Sequence, residues 1–234
     1  MLFEHGVPLL DKHGRPRNAM MLMAADDVEF VDTWHVSGLS GSGSLDYQVQ
    51  ELFVPLEHVV GLKNDDPVPP TTLHTFPNFT FLTLGIGAVC MGVARASIDE
   101  LVSLAVAKKR VGARKSVSQQ QVSQIKLAQA EADLQSARLF YYQALDSAWN
   151  SALENQQVTL DMRRDLRLAT TNAVNKSVNV VQEMYNLGGG SSVYQTSRLQ
   201  RHFRDINVAK THIMVSQQVF EIVGALYFGL EPNV

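Results

Sequence analysis

Cysteine is almost missing from this sequence: Cys90 is the one thiol in 234 residues. A single thiol forms no intrachain disulfide and supplies too few thiolates for a structural zinc site. A reducing, cytoplasmic setting is therefore expected. A surplus of charge is missing too. Twenty Lys and Arg against 23 Asp and Glu leave a formal net charge of −3, which exerts no long-range pull on nucleic acid or an anionic membrane. The N-terminus has no apolar core, since Glu4, His5, Asp11 and Lys12 interrupt it, so no signal peptide is expected. The longest uncharged apolar run, Phe79 to Ala94, has sixteen residues and ends at Arg95. A membrane span needs about 18 to 20, so this run is read as a buried core helix. There is no Gly-x-Ser-x-Gly elbow and no Walker loop. None of the seven histidines pairs at a helical metal-binding spacing with a third ligand nearby, so no metal site is expected.

What is present divides the chain in two. Residues 1–62 read as strands and turns. Asp11 to Pro16 is turn chemistry. Ala19 to Ala24, then Val28, Phe30 and Thr33 to Val36, and then Tyr47 to Val54 are strand formers that end at Pro55. Three or so strands cover too little apolar surface to stand alone, so this region is expected to be part of a larger β-domain. Residues 63–78, punctuated by Pro67, Pro69, Pro70 and charge, read as a linker.

From there a helical period takes over, and 79–234 is read as a bundle domain. Four helices are expected, over about 78–108, 118–153, 160–187 and 197–228. Val122, Ile125, Ala132, Leu134, Ala137, Tyr141 and Leu145 recur at three- and four-residue steps along the second. Thr159 is the N-cap candidate of the third and Gly188-Gly189-Gly190 its stop. Long helices with short connections predict an antiparallel four-helix bundle. The fold class is thus mainly α, with a partial β-domain ahead of the bundle.

Three groups could carry chemistry. Gly38 to Ser44 has the glycine content of a phosphate cradle, but it leads into a strand, so no helix N-terminus would face an anion; a plain turn is the better reading. The basic cluster Lys108-Lys109-Arg110, with Arg114 and Lys115, is either a solvated loop at a helix C-terminus or a phosphate site. On the fourth helix Arg201 and Asp205 are spaced to pair, and Arg204 and His212, eight residues apart, share a face. That group reads equally as a ligand pocket or as a buried ion pair beside a satisfied core histidine.

Taken in order, these segments resemble acyl-CoA dehydrogenase-like flavin monooxygenases. Asp32-Thr33-Trp34, Gly38 to Ser44 and Phe53-Val54-Pro55 are similar to the end of that family's β-domain, with Ser40 where the family usually has an arginine. Arg110, followed by Gln121 and Leu127-Ala128, has the spacing of the superfamily's cofactor-binding arginine and the helix behind it. Asn186-Leu187-Gly188-Gly189-Gly190 resembles the Gln-x-x-Gly-Gly turn that lines a neighbouring flavin, with Asn186 for the glutamine. Arg204-Asp205, fifteen residues beyond Gly189, matches the family's Arg-Asp pair. Phe220 to Pro232 resembles its C-terminal tail.

The resemblance implies a flavin cofactor, FAD or FMN, contacted by Arg110, Gln121, Asn186, Gly189, Gly190, Ser191 and Arg204. It also implies a separate flavin reductase, a homo-oligomer (dimer or tetramer), and an N-terminal helical domain with a complete β-domain ahead of these residues. Acyl-CoA dehydrogenases commonly carry a catalytic glutamate eight residues after the aspartate; here that position is Ile213, which cannot remove a proton. His212, beside it, stands where the two-component monooxygenases place a histidine facing flavin and substrate, and is the implied catalytic residue. The expected activity is hydroxylation of an aromatic or similar apolar substrate through a C4a-(hydro)peroxyflavin. The alternatives are an acyl-CoA dehydrogenase with a relocated base, or a non-catalytic oligomerisation module.

Overall fold

The computed structural model describes residues 1–10, 14–61, 71–109 and 111–230. The chain forms two compact units: residues 1–35 with 40–71, and residues 36–39 with 72–234. The helical unit therefore begins at Thr72, and it also claims the four-residue strap Val36–Leu39 from the middle of the other unit. The linker expected at 63–78 lies partly outside the described residues.

The first unit holds six short strands in three antiparallel pairs. β1 (Phe3–Glu4) pairs with β2 (Val7–Pro8), β3 (Ala19–Met21) with β6 (Val59–Gly61), and β4 (Glu29–Val31) with β5 (Asp46–Gln48). The strands are shorter than their apolar runs. Thr33 and His35 donate to carbonyls two residues back, which turns the backbone out of the ladder after Val31. Phe30 and Tyr47 face each other across β4 and β5 and are both more than half exposed.

The second unit is a helical bundle of α1 (Asn78–Ala107), α2 (Gln121–Asn155), α3 (Leu160–Gly188), α4 (Arg198–Ala209) and α5 (Gln218–Tyr227). α3 is the central helix and packs on the other four. Its ends are set by sequence: the Thr159 hydroxyl accepts the Met162 N–H, and Gly189 leaves the helix at φ 53°, a conformation that glycine adopts at little cost. By length and composition α1 could span a membrane; in the bundle Cys90, Met91, Ala94, Ile98 and Leu101 form its buried face.

Ala130, Ala137, Ala144, Ala148 and Ala152 give α2 a buried face of small side chains. Where α1 passes Tyr141 of α2 and Thr170 of α3, Gly87 makes the room, since a Cβ there would lie 2.8 Å from Thr170 Cγ2. The Tyr141 hydroxyl, buried beside this point, donates to the Leu84 carbonyl at 2.8 Å.

One helix departs from its expected span. The fourth does not run unbroken from 197 to 228: it stops at Ala209, a 3-10 turn occupies Ile213–Val215, and α5 resumes at Gln218. No glycine or proline breaks it. Instead the Thr211 hydroxyl donates to the Val208 carbonyl at 2.7 Å, and the His212 ring accepts the Met214 N–H at 3.2 Å. These local bonds compete with the helical ladder.

Candidate functional site

The glycine turn is built by packing on one side and left open on the other. A Cβ on Gly188 would lie 2.1 Å from Ser192 Oγ and 2.6 Å from Leu199 Cδ1, so only glycine fits there. The Ser192 hydroxyl donates to the Tyr185 carbonyl at 2.8 Å and pins the turn from inside. Gly189 and Gly190 differ: a Cβ on either would meet no heavy atom within 4 Å, so their backbone is open to approach. Ser191 follows in the same 3-10 turn, Gly189–Val193. Asn186 is exposed, and its side-chain oxygen accepts from Gln182 at 3.0 Å.

The basic segment meets this turn through Lys108, whose ammonium donates to the Gly188 carbonyl and the Ser191 hydroxyl. The loop beyond is closed at its root, where Lys109 bridges to Ser116. Arg110 lies outside the described residues. Gln121 is exposed at the first position of α2. Next to it is an apolar slot of about 110 Å³, lined by Leu101, Val102, Ala105, Val106, Val117 and Leu127 together with Ser118, Ser123 and Gln124. Open glycine backbone and neighbouring cations are groups suited to holding a diphosphate; the slot is too small for a flavin ring system.

Arg204 and Asp205 do something that sequence reasoning missed: they grip the strap. Asp205 Oδ1 accepts the Leu39 N–H at 2.7 Å, and Arg204 Nη1 donates to the Ser37 carbonyl at 3.1 Å. Gly38 lies so close that a Cβ there would sit 2.4 Å from the Arg204 carbonyl oxygen. The expected Arg201–Asp205 pair is not among the ion pairs of the described residues; Asp205 faces Leu39 instead. Arg204 and His212 do not share a helical face either, because the helix ends between them.

The inward histidine of α4 is His202, not His212. His202 is buried, and its Nδ1 lies 3.1 Å from Ser97 Oγ of α1, itself bonded to the Val93 carbonyl at 2.9 Å. Burial, with help from Arg201, pushes its pKa below the usual histidine value. His212 is exposed at the N-cap of the short turn. Because its Nδ1 accepts the Met214 N–H, the neutral ring carries its proton on Nε2. Its neighbour at position 213, 75% exposed, is isoleucine and not a carboxylate. The glycine turn and His212 lie at opposite ends of α4, whose twelve residues span about 18 Å. They cannot serve the same atoms of a ligand.

Residues 84–217 match the family described as acyl-CoA dehydrogenase, C-terminal domain. Indole-3-acetate monooxygenase of Pseudomonas putida is 30% identical over 222 residues, which cover 95% of this chain and 56% of that protein. The FADH2-dependent resorcinol hydroxylase, oxygenase component, of Rhizobium sp. is 26% identical over 94% of this chain and 58% of its own length. Among solved structures, XiaF from Streptomyces sp. in complex with FADH2 and glycerol aligns with a TM-score of 0.86 at 22% identity, covering 97% of this chain and 60% of that one. This structural likeness shows the fold. The chain thus spans a little over half the length of the curated relatives it matches.

Proposed function

The chain belongs to the acyl-CoA dehydrogenase family through its C-terminal domain, and from that premise we propose that it is the C-terminal portion of a flavin-dependent monooxygenase that hydroxylates an aromatic or similar apolar substrate. One observation carries the reading. His212 presents an Nε2 proton at an exposed position on a pinned loop, and the adjacent residue, where a dehydrogenase commonly keeps its carboxylate, is isoleucine. The monooxygenase and hydroxylase relatives support it.

In this reading the open backbone of Gly189 and Gly190, with Ser191, Asn186, Gln121 and the cations of the basic loop including Arg110, holds the anionic part of the flavin. Arg204 acts at a distance, by fixing the strap. When bound in reduced form, the flavin supplies the activation of oxygen. His212 does the proton work: Nε2–H donates to an oxygen atom beside it, and the neutral ring can take up the proton released by a phenolic or similar hydroxyl. FAD is the proposed cofactor and a separate reductase the proposed partner, because the Rhizobium relative is named an FADH2-dependent oxygenase component. Self-association is proposed on the outer stripe of α2, where Leu139, Tyr142, Trp149 and Leu153 are exposed at helical spacing.

His212→Asn tests the assignment, because an asparagine at an N-cap still accepts the Met214 N–H but transfers no proton near neutral pH. With reduced flavin, oxygen and an aromatic substrate in the full-length enzyme, flavin affinity should hold while hydroxylated product falls by about 10²-fold or more. Undiminished product formation would remove His212 from the chemistry.

A further inference from the structure

Lys108 is the C-cap of α1, and its two halves act on different segments. Its backbone belongs to the basic loop: its carbonyl accepts the Val117 N–H at 2.8 Å, and the Lys109–Ser116 bridge sits directly beyond. Its side chain belongs to the glycine turn, with the ammonium bonded to the Gly188 carbonyl and the Ser191 hydroxyl 80 and 83 residues away. The Gly188 carbonyl is one of the last of α3, where helical carbonyls lack an intrahelical partner and the helix end carries partial negative charge. An ammonium there satisfies the acceptor and the dipole together.

No other bond described for the turn reaches this loop. Ser192 pins the turn to Tyr185 of its own helix, and the Gly188 packing against Leu199 ties it to α4. Without the lysine, the loop and the open Gly189–Gly190 backbone would each keep their own shape but lose their register.

We infer that Lys108 is a positioning residue that locks the basic loop to the glycine turn, so that the two anion-contacting segments form one site for the flavin diphosphate. The inference rests on the flavin reading above. It makes Lys108 a determinant of cofactor affinity, acting through its neighbours and not by touching the cofactor.

The test uses the full-length enzyme as wild type, Lys108→Met, Lys108→Arg and Lys109→Met, with three readouts: amide hydrogen exchange, thermal melting, and titration with FAD followed by flavin fluorescence. Methionine keeps the length of the stem and removes the donors. Lys108→Met should speed exchange at residues 189–193 and weaken FAD binding, each by on the order of tenfold, the equivalent of one charge-assisted hydrogen bond. Lys108→Arg should recover most of both, since a guanidinium can also donate to two acceptors. Lys109→Met, which leaves the backbone bridge intact, should leave exchange at 189–193 unchanged.

Unchanged exchange at 189–193 in Lys108→Met would overturn the inference. So would faster exchange spread over the whole bundle with a matching drop in melting temperature, which is the behaviour of a plain helix cap. If the wild-type full-length enzyme binds no FAD, it is the flavin reading that falls. The exchange readout still decides the locking role: a local, arginine-rescued change supports it and no change refutes it.

Discussion

Placing alanine at position 38 should pull the strap off α4. The added Cβ would sit 2.4 Å from the Arg204 carbonyl oxygen, 2.5 Å from its carbon and 2.7 Å from the Asp205 nitrogen, against optimal contacts near 3.5 Å. All three atoms are helix backbone, so no flexible side chain can swing aside. The molecule then has two ways out. It can keep the strap and accept an overpacking cost of about 1–3 kcal/mol or more. Or it can release the strap and lose the part-buried bond from Leu39 N–H to Asp205 Oδ1, worth about 1.5–3 kcal/mol because the acceptor is charged. Release returns roughly 1 kcal/mol by freeing Leu39 from its left-handed backbone at φ 53°. The exposed Arg204–Ser37 bond adds little. The cheaper route sets the outcome, so the expected loss is about 1–2 kcal/mol, read as a lower urea midpoint of the helical signal at an unchanged slope. A cycle with Asp205→Ala identifies the route. Once the carboxylate is gone the strap is already loose, so Gly38→Ala should then cost close to nothing, a coupling of about 1 kcal/mol or more. Full additivity of the two substitutions would refute the reasoning.

Two further outcomes follow from buried groups. His202 resists protonation in the folded state, chiefly because it is buried and secondarily because of Arg201, against the opposing pull of Glu100 and Asp205. The unfolded chain therefore binds a proton that the folded chain does not. Stability should fall as pH drops below the unperturbed value of about 6.5, and level off once the folded ring also protonates. Urea melts at pH 5.5 and 7.5 should show a smaller difference in His202→Asn than in wild type; an equal difference would show that His202 is not the group responsible. Tyr141→Phe should cost about 1 kcal/mol, the net worth of its buried bond to the Leu84 carbonyl. A change within error in the same melts would mean that the carbonyl needs no second donor.

Residues that report on local structure were legible in the sequence, and those that report on distant contacts were not. Thr159 and Gly188 to Gly190 bracket α3 because a cap and a left-handed glycine act on their own turn of helix. Lys108 could be read as a cation at a helix end, but its partner carbonyl lies 80 residues further on and no local signal names it. Gly38 looked like one more turn glycine. What requires it there is the backbone of Arg204, 166 positions away, and a single sequence carries no trace of that contact. The break after Ala209 was invisible for another reason. Residues 210–217 are Lys-Thr-His-Ile-Met-Val-Ser-Gln, none of which forbids a helix. The outcome is set by two side chain-to-backbone bonds, from Thr211 and to His212, which propensity cannot weigh against four or five helical bonds.

That break is what the role proposed for His212 depends on. In an unbroken helix residue 212 would sit two turns beyond Arg204 on the same face, and so in line with the strap. Instead the helix, held by the buried Ile206, ends at Ala209, and the chain is anchored again at Val215, Val219 and Val223, also buried. α5 is fastened in turn to α3, where the Arg164 guanidinium lies 4.3 Å from the Tyr227 ring centre. The loop between these anchors has little freedom, and His212 itself closes it by accepting the Met214 N–H. In the proposed reading, fixed backbone on both sides and a ring held through Nδ1 let this exposed histidine position its proton for use. A histidine needed only for stability would be expected where His202 is, inside the bundle with its ring bonded to another helix.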